Sequence, residues 1–287
     1  WLECMKARLF QTLFIFNAFA CSTFALASET NKDIRALQEQ GMTAVLFQQT
    51  SAERLAASLQ TFVAARQALD KALADPTWSA LLGQKNYQNK KPAIILDVDE
   101  TVLDNTAYQA RMILDGTRYP TGWVDWGNEV AAIEVPGAKE FLNYADSKGV
   151  TIFYITNRVV ELKKATQQNL TKLGMPWDKS KATILMRGEN DWGSDKKSRR
   201  ALVGEQYRVL LLAGDNLGDF IDAKDNNLAP DKRQDVVSVY SEYWGTKWFM
   251  LQNIAYGDWE GSLYNFDYSL SPDEVHETRL NALKPSR

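Results

Sequence analysis

The chain has 287 residues, with 33 Lys and Arg against 36 Asp and Glu, a net charge of −3 and a pI near 5.4. That balance argues against binding of a nucleic-acid polymer, which needs clustered positive charge; the length can bury a full core, and one α/β domain with a helical addition is the natural count. One histidine and two cysteines exclude most imidazole and thiolate chemistry.

Residues 1–27 read as an export signal, with Met5 as the start and residues 1–4 as an upstream extension. Lys6 and Arg8 give a positive beginning. Leu9 to Phe19 is an apolar run too short for a membrane span, and Ala25-Leu26-Ala27 has the small-x-small form of a cleavage site that leaves Ser28 first. Cys21 follows Ala18-Phe19-Ala20, where a lipobox would carry Leu or a similar residue at position 18, so lipid anchoring is the weaker route. Cys4 and Cys21 both fall inside the signal, and the mature chain has no disulfide and no thiolate.

Residues 31–75 read as helix, with Leu37, Val45, Leu46, Leu55, Leu59, Phe62, Val63 and Leu69 at three- and four-residue steps. Gly41 and Thr50-Ser51 are breaks, and Asp75-Pro76 ends the run. Residues 31–90 are expected to pack on a sheet as a helical addition. A coiled-coil dimer is the rival reading, but the heptad is not sustained, and a homodimer stays open.

An α/β core follows over residues 91–239. The apolar run Ala93 to Leu96 ends in Asp97-Val98-Asp99-Glu100-Thr101. Side chains at i and i+2 leave a strand on one face, so both Asp groups aim at one place, at the strand end where open α/β sheets hold ligands. Like charges there are costly unless a cation is shared or one is protonated. An insert from Asp104 to Gly149 carries two or three helices with Tyr108, Tyr119, Trp123 and Trp126. Val150 to Ile155 is a second strand ending in Thr156-Asn157-Arg158. Ala182 to Met186 is a third, followed by Asp195-Lys196-Lys197-Ser198-Arg199-Arg200. Tyr207 to Ala213 is a fourth, ending in Gly214-Asp215-Asn216-Leu217-Gly218-Asp219. Residues 240–268 are rich in aromatics and suit a loop around a cleft mouth. Residues 269–287 read as a polar, poorly ordered tail, with His276 solvated. Nine Trp, eleven Tyr and twelve Phe exceed the evident needs of the core, so some are expected to line a pocket.

The DxDxT sequence at Asp97, the lone Thr156 after an apolar strand, the lysine and the GDxxxD at Gly214 occur in an order that resembles the haloacid dehalogenase superfamily of phosphotransferases. DVDETVLDNTAY at Asp97 to Tyr108, WVDWGNEVAAIEVPG at Trp123 to Gly137 and YGDWE at Tyr256 to Glu260 narrow the resemblance to the class C acid phosphatases, the bacterial lipoprotein e(P4) group of nonspecific phosphatases and 5′-nucleotidases. The likeness runs from about residue 31 to about residue 267. It implies a parallel sheet flanked by helices, the Rossmannoid arrangement of that superfamily, with a helical insert after the first catalytic strand. It implies a bacterial enzyme of the periplasm or outer membrane with a catalytic domain over residues 28–268.

The resemblance also implies the chemistry. Asp97 is the expected nucleophile, forming an aspartyl phosphate, and Asp99 the acid and base. One Mg²⁺ per site is expected on Asp97, the backbone carbonyl of Asp99, and Asp215, with Asp219 holding a metal water or ligating directly. Thr156 donates to a phosphate oxygen, Asn157 stands beside it as a substrate contact, and Lys196 caps the charge, with Lys197 as the alternative. Trp123 or Trp126 with Tyr256, and Trp259 nearby, are candidates to stack a nucleobase, making a nucleotide the expected small phosphomonoester substrate. The chain departs from relatives at Gln252-Asn253-Ile254-Ala255, where they carry proline, and this bears on the clamp. A phosphotransferase, or a surface protein for binding and uptake of a group such as haem, is the alternative function; haem would need Tyr or Met ligation or a noncovalent groove.

Overall fold

The computed structural model describes residues 33–286; the export signal and its cleavage site lie outside the described residues. Three helices come first: α1 (33–39), α2 (Met42–Thr50) and α3 (Ala52–Ala74). Their breaks fall at Gly41 and at Ser51, whose hydroxyl caps α3 by accepting the Arg54 N–H at 2.9 Å. Residues 75–90 are turns that close the back of the sheet, where Ala80 N–H donates to the Val209 carbonyl at 2.8 Å.

Strand β1 (Lys91–Leu96) leads into an insert made of β2 (Leu103–Asp104), α4 (Thr106–Asp115), α5 (Trp123–Asn128), β3 (Ile133–Glu134) and α6 (Ala138–Ser147). The core continues through β4 (Thr151–Val159), α7 (Lys163–Leu173), β5 (Ile184–Arg187), α8 (Lys197–Gln206), β6 (Tyr207–Gly214), α9 (Ala223–Asn226) and α10 (Pro230–Val239). Strand β7 (Trp248–Met250), α11 (Asp258–Gly261) and α12 (Pro272–Ala282) complete the described chain.

Five strands form one parallel sheet in the order β5-β4-β1-β6-β7. Both faces are covered, which is why its strands read as continuous apolar runs. Alternation along β1 splits the core: Ile94 and Leu96 face Phe62 and Leu69 of α3 and Phe141 and Leu142 of α6, while Ala93 and Ile95 face Val203 of α8 and Trp248. Opposite Ala93 and Ile94, strand β6 carries one extra residue, Leu210, in a bulge. The Trp78 indole uses the Leu210 carbonyl as its acceptor at 2.8 Å.

The helical addition is tied to the insert through charge. Arg54 of α3 and Asp104 of β2 form an ion pair at 2.7 Å, with side chains only 9% and 4% exposed. Asp104 also accepts the Thr106 N–H and hydroxyl at the start of α4.

Two expectations change. Residues 240–268 contain β7 rather than loop alone, and much of the aromatic surplus there is packing: Trp248 is fully buried against Phe220, Tyr240, Tyr243 and Trp244. The polar tail folds as α12, capped reciprocally by Ser271 and Glu274 with Pro272 in the first turn. Arg279 of α12 pairs with Glu260 and bonds Gln40, and the exposed His276 ring also meets Gln40, at 2.9 Å.

Asp104→Ala leaves the buried Arg54 without its carboxylate and removes the acceptor for the Thr106 N–H and hydroxyl. Stability is expected to fall by about 3 kcal/mol, read as a lower urea midpoint; an unchanged midpoint would mean that the ion pair does not hold the addition to the insert.

Candidate active site

From β1 the chain moves outward to β4 and β5, then crosses back over β1 to β6. That reversal opens a crevice at the carboxyl ends of β1, β4 and β6, where open α/β sheets bind ligands. Asp97 follows β1 directly, its N–H extending the ladder to the Ala213 carbonyl at 3.0 Å. Thr156 lies within β4, Asp215 follows β6, and Lys196 immediately precedes α8.

The side chains of Asp97, Lys196, Asp215 and Asp219 converge. The Lys196 ammonium lies 2.5 Å from Asp97 Oδ1 and 2.6 Å from Asp219 Oδ1, and all three side chains are buried. Carboxylate oxygens of Asp97, Asp215 and Asp219 lie within 4.8 Å of one another. Lys197 points away, its side chain 60% exposed and its ammonium paired with Asp222 at 2.7 Å. Asp219 is folded back by a short capping box, accepting the Asn216 N–H at 2.9 Å. This fold-back needs glycine at 214, since a Cβ there would sit 2.2 Å from Asp219 Oδ2.

The electrostatics are those of a cleft short of positive charge. Burial, with the charges of Asp219 and Asp99, pushes the Asp97 carboxyl up to about 7 against the pull of Lys196. Burial, then Asp219 and Asp97, raises Asp215 well above the carboxylate range. Burial opposes the charge on Lys196, but Asp219 and Asp97 outweigh it and its pKa is raised. Three clustered carboxylates with one ammonium between two of them form an all-oxygen donor set that fits a hard divalent cation.

Asp99, two residues beyond Asp97, has partners of its own. Its Oδ1 receives the Arg158 guanidinium at 2.8 Å and the Asn105 amide at 2.8 Å, while its Oδ2 receives only Arg158 Nε, at 3.2 Å. Trp126 is 3% exposed and its indole N–H donates to Asn105 Oδ1 at 2.9 Å. Trp123 is likewise buried, edge-on to Tyr108 and 5.6 Å from the Arg158 guanidinium. Both tryptophans therefore form the wall behind Asp99, with no broad face open to solvent.

Thr156 is fully buried and its Oγ1 accepts the Arg158 N–H at 3.0 Å, which leaves its own proton free to donate. Both ends of the Asn157 amide are engaged, donating to the Ser194 carbonyl at 3.0 Å and accepting from Arg199 at 2.7 Å. Asn157 thereby fastens the segment that carries Lys196. The Tyr256 hydroxyl donates to Glu100, a carboxyl that burial and the Asp99 charge push up to about 8. Among the aromatic candidates Trp259 is the open one, at 47% exposure.

Arg158, Asn105, Glu100 and Asn253 were not singled out by sequence reasoning. Arg158 had a signal, since it stands two residues from Thr156 on one strand. Asn253, whose amide donates to Asp215 Oδ2 at 2.9 Å, lies in the departure at Gln252-Asn253-Ile254-Ala255, but only the fold brings that loop to β6.

The family profile described as HAD superfamily, subfamily IIIB (acid phosphatase), matches residues 5–259. The class C acid phosphatase from Bacillus anthracis is 36% identical, superposes with a TM-score of 0.77, and is aligned over 88% of this chain and 99% of its own. A second structure of that class C acid phosphatase, with tungstate bound, is aligned at 35% identity over 87% of this chain and 99% of its own, with a TM-score of 0.77.

Two outcomes follow from the geometry. Gly214→Ala displaces Asp219 and is expected to lower turnover about a hundred-fold, whereas equal turnover would show that Asp219 is free to move without consequence. The second concerns pH. Asp97 and Glu100 hold protons in the folded chain, to about 7 and about 8, at pH values where the unfolded chain has released them, above 3.8 and 4.5. Stability without divalent cations is therefore expected to fall as pH rises through this window and to level off above it. Melting temperatures in a chelator, taken from about pH 5 to about pH 9, check the sign; a rise toward neutral pH would contradict it.

Proposed function

We propose how this chain, which belongs to the acid phosphatases of HAD subfamily IIIB and is a phosphomonoesterase, breaks the ester bond of its substrate. The observation that carries the reading is the Lys196 ammonium held between Asp97 and Asp219 at the switch point of the sheet, with Asp215 alongside. Asp97 attacks phosphorus through a carboxylate oxygen, the bond to the leaving oxygen breaks, and an aspartyl phosphate forms. Asp99 gives its proton to the departing alkoxide from Oδ2, the oxygen less engaged by Arg158 and Asn105. Water then attacks phosphorus, Asp99 Oδ2 takes the proton, and phosphate leaves Asp97 free.

Lys196 supplies fixed positive charge to the equatorial phosphate oxygens, and the free Thr156 proton donates to one of them. Asn157, by fastening residues 193–196, keeps Lys196 in reach. Asp97, the Asp99 carbonyl and Asp215 would hold one Mg²⁺, with Asp219 beside it, and the cation would neutralise charge on the transferring group.

The proposed substrates are nucleoside monophosphates and other small phosphomonoesters. Tyr256 and the open Trp259 are the aromatic surfaces available for a base, while Trp123 and Trp126 act as the buried wall that orients Asp99. The apolar segment at Leu9 to Phe19 and the site at Ala27 support export, with residues 28–268 as the catalytic domain. No described helix is long and apolar enough to cross a membrane.

The test uses residues 28–287, a nucleoside 5′-monophosphate and an aryl phosphate, with Mg²⁺ or with EDTA. Phosphate release is expected to require the cation and to fall at least about a thousand-fold in Asp97→Asn. Turnover that persists in the variant, or in EDTA, would overturn the aspartyl-phosphate reading.

A further inference from the structure

We infer that Glu100 and Asn253 are positioning residues that hold the two sides of the cleft in one frame. The inference rests on the metal-assisted reading above and concerns what keeps Asp99 and Asp215 in place. A continuous chain of hydrogen bonds joins these two carboxylates. Asn105 Nδ2 donates to Asp99 Oδ1 at 2.8 Å, and the Asn105 backbone N–H donates to Glu100 Oε1 at 2.7 Å. Glu100 Oε2 accepts from the Tyr256 hydroxyl. The N–H groups of Ala255 and Tyr256 donate to Asn253 Oδ1 at 3.1 and 3.3 Å, and Asn253 Nδ2 donates to Asp215 Oδ2 at 2.9 Å.

Three features separate this chain from ordinary loop packing. Glu100 is 1% exposed, yet its φ of 53° lies in the left-handed region, which costs a non-glycine residue about 1 kcal/mol and persists only where surroundings hold it. Its two oxygens are spent on two distant segments, Asn105 at the start of α4 and Tyr256 in the loop after β7. Asn253 is 8% exposed and uses both ends of its amide, donating to Asp215 while accepting two backbone N–H groups. Neither residue makes a hydrogen bond to Asp97, Lys196 or Thr156, so each acts through another group. Hydrogen-bonded partners of ligating carboxylates typically tune metal affinity or activity 10–100-fold.

The test compares Tyr256→Phe, which removes one hydroxyl and keeps the ring, and Asn253→Ala with the unaltered chain. Glu100→Gln is the conservative variant, because a glutamine keeps an oxygen for the Asn105 N–H and an amide N–H for the Tyr256 hydroxyl. Mg²⁺ affinity is measured by titration calorimetry without substrate, which reports on Asp215. The ratio of kcat for an alkyl phosphate to kcat for p-nitrophenyl phosphate reports on Asp99, since only the poor leaving group needs a proton. Asn253→Ala and Tyr256→Phe are each expected to weaken Mg²⁺ binding about tenfold. Tyr256→Phe is also expected to lower the kcat ratio about tenfold, and Glu100→Gln to stay near the unaltered protein in both. Variants that fold, bind Mg²⁺ as tightly as the unaltered chain and keep its kcat ratio would overturn the inference, whatever their melting temperatures. Failure of the unaltered chain to bind Mg²⁺ would overturn the metal-assisted reading and this inference with it.

Discussion

Three carboxylates share one buried cleft with a single ammonium, and the rest of the molecule is arranged around that imbalance. Asp97, Asp215 and Asp219 crowd within 4.8 Å, and Lys196 touches two of them. Burial raises the proton affinity of Asp97 and Asp215, so the cluster is at rest only with protons or a cation added. A phosphomonoester brings still more negative charge. A hard divalent cation on this all-oxygen cluster would offset that deficit.

The fold meets this cost with rigid supports. Parallel strands bring Asp97, Thr156 and Asp215 to one edge, and the buried faces of the sheet fix the strands that carry them. A bare Gly214 admits the folded-back Asp219. Arg158, Asn105 and Trp126 form a braced group around Asp99. Asp99 and Asp97 thus have different partners, Arg158 and Asn105 for the one and Lys196 for the other.

Much of this was legible in the chain. The stretches leading to Asp97, Thr156 and Asp215 are apolar runs because a doubly covered parallel sheet demands them, and the polar residues that follow them stand out for the same reason. The choice between Lys196 and Lys197 was not legible, since both stand at the start of one helix and only its packing turns one inward. Trp123 and Trp126 were candidates to stack a base through the resemblance, which does not report exposure; the fold buries both. The segment of Asn253 stood out only as a departure before Tyr256, and its bond to Asp215 depends on a loop returning from β7. Helix α12 was missed although Ser271-Pro272-Asp273-Glu274 is a capping box with proline in the first turn, a local signal obscured by a polar stretch with little apolar periodicity.

The central claim is that phosphate passes through Asp97. Acid quench of a pre-steady-state reaction with phosphorus-labelled substrate, followed by peptide mapping, tests it most directly. The account predicts transient label on the peptide carrying Asp97, formed within the burst and lost as phosphate is released. Label on another residue, or a burst of product with no labelled protein at any quench time, would contradict it.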